Sequence, residues 1–316
     1  MKPAPFRYEA PTELEQVLGL LRQHEDEAKV LAGGQSLGPL LNLRMSTPSV
    51  LVDMARVAQL HGAPRVVGRD VRIAAMTTYR EVLDDPLVAR EVPLLAEAIP
   101  YVGHRAIRNA GTLGGSVAHA DPAAEMPTCL VALGAQIGLA GPSGHRSVEA
   151  EDFFTGTFST ELASDEVVAW IDIPSRPRRR GSAWLEVAPR HGDYAIVGVA
   201  AVAERDDDHL VQVRVALSGV ADRPTLIDLT EELSDLDISH GATATSRAGS
   251  RTSSLSLHFR ANVLLDEAGR RIASEFRFQD DLIASVRYKQ HLVETLTARA
   301  LGTAIERTVG REGATS

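Results

Sequence analysis

Lys29-Val30-Leu31-Ala32-Gly33-Gly34-Gln35-Ser36-Leu37 reads as the end of a strand, a tight glycine loop and the start of a helix that runs through Leu37–Met45. Such a junction leaves backbone N–H groups unpaired and aims them, with the positive helix end, at one spot. Ser36 is placed to cap the helix, and Pro39 falls in its first turn, where a missing N–H costs little. A phosphate group is the natural guest. A second glycine pair, Thr112-Leu113-Gly114-Gly115-Ser116, repeats the pattern of small residues and hydroxyls. Alone, either pair reads as a plain turn of no chemical meaning. Together they read as loops from opposite sides that clasp one pyrophosphate. Neither is followed by Gly-Lys-Ser/Thr, and neither fits Gly-x-Gly-x-x-Gly in a strand–helix unit. Nucleoside triphosphates and the usual nicotinamide fold are therefore disfavoured.

Outward from the first loop, Thr12-Glu13-Leu14-Glu15 has the form of a capping box, and Leu14, Val17, Leu18 and Leu21 share one face of the helix behind it. Segments 50–52 and 71–75 read as strands, and Thr78-Tyr79-Arg80-Glu81 as a second capping box. Pro86 and Pro93 break the following residues into short helices. Asp121 is placed to cap a helix opened by Pro122 and running to about Leu133. A hairpin over 136–148 and a strand over 167–173 follow. Pro174-Ser175-Arg176-Pro177-Arg178-Arg179-Arg180-Gly181 reads as a linker. Long strands at 183–188, 195–204 and 210–218 then predict an antiparallel meander. Residues 229–256 read as a mobile or poorly packed insertion, and order resumes at a helix over 282–301.

The chain has 316 residues, enough for two domains. Its 33 basic and 42 acidic side chains give a net charge of -9, which argues against a nucleic-acid footprint. The single Cys129 cannot form an internal disulfide framework or hold an iron-sulfur cluster. Its ten histidines follow no metal-binding spacing, so no metal site is expected. No signal peptide or membrane span is legible, and a cytoplasmic location is the default expectation.

Ala32-Gly33-Gly34-Gln35-Ser36-Leu37, Asn109-Ala110-Gly111-Thr112-Leu113-Gly114-Gly115-Ser116 and Ala120-Asp121-Pro122-Ala123-Ala124-Glu125, in this order, resemble the FAD-binding medium subunit of the molybdenum hydroxylases. This family includes the medium subunits of carbon monoxide and nicotine dehydrogenases and the flavin domain of xanthine dehydrogenase. Gly192-Asp193-Tyr194-Ala195 and Ser285-Val286-Arg287-Tyr288-Lys289-Gln290-His291-Leu292 carry the resemblance further. It implies an α+β fold: a two-subdomain FAD-binding domain (PCMH/vanillyl-alcohol-oxidase-like) over 1–175, divided near 54, followed by a smaller antiparallel-sheet domain with packed helices over 176–316.

The resemblance also implies that Ala32, Gly33, Gly34, Gln35, Ser36 and Leu37, with Gly111, Thr112, Leu113, Gly114, Gly115 and Ser116, bind the FAD pyrophosphate. Glu125 would take ribose hydroxyls, against the alternative of a plain helix charge. Tyr101 and Val102 would line the flavin or simply pack. Asp121 would cap or contact the cofactor, Asp193 and Tyr194 would sit at the flavin with the Tyr194 ring over its face, and Val168 would meet the adenine. No catalytic side chain is expected in this chain. FAD would receive electrons from two 2Fe-2S clusters of a small partner subunit, fed by a molybdenum cofactor in a large one. The whole would be a dimer of heterotrimers serving an external acceptor.

Two departures stand out. Glu186 occupies a position where relatives commonly carry a lysine, and a carboxylate near a diphosphate is unfavourable. The 229–256 stretch is longer than expected. The cluster Arg176, Arg178, Arg179, Arg180 is either a solvated linker or a docking surface for an acidic partner. A stand-alone flavin-dependent oxidoreductase is the alternative function, and a scaffold that has lost flavin is a third.

Overall fold

The computed structural model describes residues 1–175, 179–207, 209–234, 236 and 251–309, those of 251–261 by their helical backbone alone. Its sheets follow one another along the chain. In the first, β3 (Val50–Asp53) lies between β1 (Arg7–Glu9) and β2 (Ala28–Leu31), parallel to both. Helix α1 (Leu14–His24) buries Val17 and Leu21 against this sheet. Each fully buried aliphatic side chain of this kind contributes about 1.5–3 kcal/mol. The capping box lies one residue later than the sequence predicts. Gln16, not Glu15, accepts from the Thr12 and Glu13 N–H groups at 3.0 and 3.4 Å. Glu13 is the capping position.

The second sheet takes the order β4 (Arg65–Val67), β5 (Asp70–Ala74), β10 (Val167–Pro174), β6 (Gln136–Gly141), β7 (Gly144–Glu149), antiparallel throughout. The short pair β8 (Phe154–Gly156) and β9 (Ser159–Thr160) stands beside it. Between β5 and β6 the chain forms a run of short helices: α3 (Tyr79–Asp84), α4 (Pro86–Glu91), α5 (Pro93–Ala98), α6 (Arg105–Ala110), α7 (Leu113–His119) and α8 (Glu125–Leu133). The four-residue α9 (Ala150–Phe153) follows β7. The Thr78 box is present as predicted: the Thr78 hydroxyl accepts from Glu81 N–H at 3.2 Å, and Glu81 accepts from Thr78 N–H at 2.7 Å. Asp121 caps a turn rather than a helix. It accepts from Ala123 N–H at 2.9 Å, while α8 begins only at Glu125.

The third sheet is the meander β11 (Arg180–Val187), β12 (Val197–Asp206), β13 (His209–Ser218), β14 (Thr225–Asp228). Its faces serve different partners, as period-two alternation requires. Trp184, Ala200, Val202 and Ala216 join the core built on α5 and α8. Ala183, Val199, Ala201, Val213 and Val215 pack beneath α11 (Arg251–Glu275) and α12 (Val286–Val309). Gly181 permits the closest approach, since a Cβ there would lie 1.9 Å from the Ala304 carbonyl oxygen on α12.

Two sequence expectations fail here. The part of 229–256 that lies within the described residues is ordered: α10 (Thr230–Leu233) buries Leu233, and Leu236 is buried too. The long α11 begins at Arg251, well before the point where order was expected to resume. Of the arginine cluster, Arg176 and Arg178 lie outside the described residues. Arg179 pairs with Asp207 at 3.1 Å. Arg180 is 8% exposed inside β11, bound to Glu204 and to the Pro174 carbonyl, so it braces the sheet rather than standing in a solvated linker.

Candidate functional site

The two glycine loops meet. A Cβ on Gly33 would fall 2.0 Å from the Ala110 carbonyl oxygen and 2.8 Å from Gly111 Cα. A Cβ on Gly115 would fall 3.2 Å from Ala32 Cβ. Glycine is what lets main chain touch main chain here. Beyond that contact the loops differ.

In the first loop, the consecutive N–H groups of Gly33, Gly34, Gln35, Ser36 and Leu37 donate to no protein acceptor among the described residues. Gly34 sits at φ +70, and its carbonyl accepts from Gly38 N–H at 2.8 Å. Gln35 folds back to donate to the Gly33 carbonyl at 2.8 Å. Successive unpaired N–H groups around a left-handed glycine form an anion-binding concavity. The helix contributes less than the sequence suggests. α2 (Leu37–Asn42) is only six residues long, and Ser36 makes no capping bond. The Ser36 hydroxyl acts instead on Tyr194.

In the second loop nearly every N–H is already committed. Gly111 donates to Ile107, Leu113 to Thr77, Gly114 to Ala75 and Ser116 to Thr112, at 2.7–3.1 Å. Gly115 N–H goes to the Thr112 hydroxyl at 3.1 Å. Among the described residues the Thr112 N–H is the one N–H of this loop left undonated, and the Thr112 hydroxyl keeps its proton to donate. Leu113 is fully buried, and a Cβ on Gly114 would stand 2.5 Å from Ala75 Cβ. This loop is the capped start of α7, packed into the fold.

Around the first loop lies a ring of hydroxyls and carboxyls. Tyr194, 56% exposed, follows the left-handed Gly192 and presents its hydroxyl to Asp121 and Ser36. Burial and then the Asp121 charge push its pKa up to about 12. Tyr79 is buried, with its hydroxyl near Ser116. Glu125, 5% exposed at the first position of α8, makes no side-chain bond to another residue, and desolvation pushes its carboxyl up to about 8. Glu186 on β11 reaches the same seam. Its Oε2 accepts from Trp184 Nε1 at 3.1 Å, its Oε1 is buried without a partner, and desolvation raises it to about 7.

Tyr101 and Val102 are half-buried beside this ring. The Tyr101 ring stands 5.6 Å from His191. Their turn is braced by Arg108, which donates to the carbonyls of Pro100, Val102 and Gly103 at 3.2, 3.1 and 2.7 Å. Gly103 and Gly192, both left-handed, touch: a Cβ on Gly192 would lie 2.9 Å from the Gly103 carbonyl oxygen. Asp193 is exposed on that turn, its N–H bonded to the Arg190 carbonyl at 3.1 Å. Val168, by contrast, is 3% exposed within the core of the second sheet. Sequence reasoning missed Tyr79 and Arg108. Tyr79 was visible only as the residue behind a capping threonine, and nothing in the order of residues marks Arg108 as the brace of a distant turn.

These residues fit a dinucleotide. Unpaired N–H groups suit the anionic pyrophosphate, acceptor carboxyls suit sugar hydroxyls, and half-buried aromatic and aliphatic groups suit a flat ring. Among the described residues no group of His, Cys, Asp and Glu is placed to hold a metal ion, and no helix is long and apolar enough to cross a membrane.

Residues 4–176 match the family model described as the FAD binding domain in molybdopterin dehydrogenase. The nicotine 6-hydroxylase medium subunit of Paenarthrobacter nicotinovorans is 38% identical over 80% of this chain and 88% of its own length. The carbon monoxide dehydrogenase medium chain of Hydrogenophaga pseudoflava is 38% identical over 70% of this chain and 77% of its own. Among solved structures, a carbon monoxide dehydrogenase chain from Hydrogenophaga pseudoflava superposes with a TM-score of 0.84 at 32% identity, covering 97% of this chain and 99% of that one. A chain of quinoline 2-oxidoreductase from Pseudomonas putida 86 gives the same TM-score, 0.84, at 32% identity, over 98% of this chain and 100% of that one.

Proposed function

This chain belongs to the FAD-binding family of the molybdopterin dehydrogenases and is an oxidoreductase subunit, and from that premise we propose that it is the electron-transfer subunit of a cytoplasmic molybdenum hydroxylase. Its partners would be a large molybdenum-binding subunit and a small subunit with two 2Fe-2S clusters, paired as a dimer of heterotrimers. The substrate would be oxidised on the large subunit, and electrons would leave through this chain to an external acceptor.

Bound FAD supplies the redox centre; the chain's own residues bind and orient it. The N–H groups of Gly33 to Leu37 hold the pyrophosphate, helped by the Thr112 N–H and hydroxyl. Glu125 accepts from sugar hydroxyls. Tyr101 and Val102 would line the flavin, and Tyr194 would limit access to it. No general acid, base or nucleophile is required of the chain. The observation that carries this reading is the uninterrupted run of unpaired N–H groups in the first glycine loop, inside the segment that matches the FAD-binding model.

Co-expression with its partner subunits, followed by metal and flavin analysis of the purified complex, tests the proposal. FAD, molybdenum and iron in one complex are expected. A metal-free chain that turns over substrate by itself would establish the stand-alone flavoenzyme instead. A chain that stays colourless after FAD is supplied would establish the scaffold.

A further inference from the structure

Between β8 and β9 the chain turns through Thr157 and Phe158, and Phe158 takes the left-handed conformation, φ +53. That conformation is costly for a bulky side chain, and glycine or asparagine would hold the same turn at less cost. The interior gives the ring nothing in return: it is 58% exposed and belongs to none of the three hydrophobic cores.

The turn is nevertheless braced from several sides. Phe158 N–H donates to the Ala120 carbonyl at 3.1 Å, and Ala120, itself left-handed at φ +51, is the residue that ends α7. The Thr155 and Ser159 hydroxyls bond across the hairpin at 2.9 Å. The Thr157 hydroxyl donates to the Asp222 carbonyl at 3.3 Å and Arg223 donates to the Phe154 carbonyl at 3.0 Å, which ties the hairpin to the turn between β13 and β14. The ring comes to rest on His119, the last residue of α7, with centroids 4.9 Å apart and planes inclined by 34°. Strain, exposure and bracing together describe an aromatic surface held out for a ligand.

Helix α7 indicates which ligand. Its first turn touches the first glycine loop, where a Cβ on Gly115 would fall 3.2 Å from Ala32 Cβ. His119 follows four residues later, about 6 Å along the axis. The aromatic pair therefore stands one short helix away from the run of unpaired N–H groups, within reach of a nucleoside carried on a pyrophosphate held there. A dinucleotide carries two such arms, and Tyr101 and Tyr194 answer to the flavin. Val168, expected at the adenine, is sunk in the core at 3% exposure. Phe158 presents the open flat surface instead.

We propose that the His119–Phe158 pair is the adenine shelf of the FAD site: the base stacks on the exposed face of Phe158, and this contact favours the dinucleotide over a flavin mononucleotide. The inference rests on the FAD reading given above.

Calorimetric titration of the flavin-free full chain with FAD, ADP and FMN tests it. Phe158→Ala lowers the affinity for FAD and for ADP by at least about fivefold, the loss of one base–ring stack, and leaves that for FMN unchanged. Phe158→Gly, which suits the left-handed turn, loses the same FAD affinity while the flavin-free chain melts as wild type does. Phe158→Tyr keeps the flat ring and the wild-type affinity for FAD. Undiminished FAD binding in Phe158→Ala and Phe158→Gly overturns the proposal and leaves the FAD reading intact. An equal loss of FMN also overturns it, since that marks a disturbed fold rather than a lost stack. A wild-type chain that binds neither FAD nor ADP removes both readings.

Discussion

The first glycine loop leaves a run of N–H groups unpaired, whereas the second commits nearly all of its N–H groups to Ile107, Thr77, Ala75 and Thr112. Two similar strings of residues thus do different physical work. One uses its glycines to leave a run of donors unpaired. The other spends them on letting α7 press against Ala75 and Ala32. A glycine pair with hydroxyls does not by itself say which; the acceptors brought by the rest of the chain decide.

The largest effect should come from Gly33→Ala, whose Cβ would collide with the Ala110 carbonyl. Neither main chain can yield cheaply, so the loops separate and the donors lose their alignment. FAD affinity should fall well over tenfold, a loss of more than about 1.4 kcal/mol, as read by flavin retention on gel filtration. Gly114→Ala sharpens the contrast. Overpacking against Ala75 should remove about 1–3 kcal/mol of stability in denaturant melts. FAD affinity of the folded fraction should change little, and a large selective loss of FAD would break the distinction between the loops.

Thr112→Ala removes the hydroxyl that caps α7 and should cost about 1 kcal/mol, with Thr112→Ser restoring most of it. The acidic residue that follows the second loop adds a pH axis. Burial raises Glu125 to about 8 and Glu186 to about 7 in the folded chain, above the ordinary carboxyl range of the unfolded one. The folded state therefore binds the extra protons. The stability they contribute is complete in acid and is lost as pH climbs through about 7 to 8. Thermal melting of the flavin-free chain should fall by several degrees between pH 6 and pH 9 and fall less in Glu125→Gln. The smallest effect is expected from Ser36→Ala. Since Ser36 caps nothing, stability should shift by less than about 0.5 kcal/mol, with a modest loss of FAD affinity.

The hairpin of β6 and β7, the meander of the third sheet and the Thr78 capping box were legible because each is written in local alternation, turns or spacing. The long helix α11 was not. Its opening residues, Arg251-Thr252-Ser253-Ser254, are polar, and its place is fixed by packing along α12, a partner reached only through the fold. The candidate site was legible as a set of residues but not as a division of labour. That Gly114 N–H is taken by Ala75, or that Glu186 and Ser218 flank Gly198 with unsatisfied oxygens, depends on strands whose register no local pattern encodes. Val168 shows the converse. Its strand was readable, yet its side chain is turned into the core.

The contact between Gly103 and Gly192 is made of bare main chain. It fixes the spacing of the two turns that carry Tyr101 and Tyr194. Side-chain packing drifts as residues are exchanged over generations, but the distance at which two peptide units meet does not. The polarity of the surrounding ring can therefore be rewritten while the spacing of the two turns stays the same.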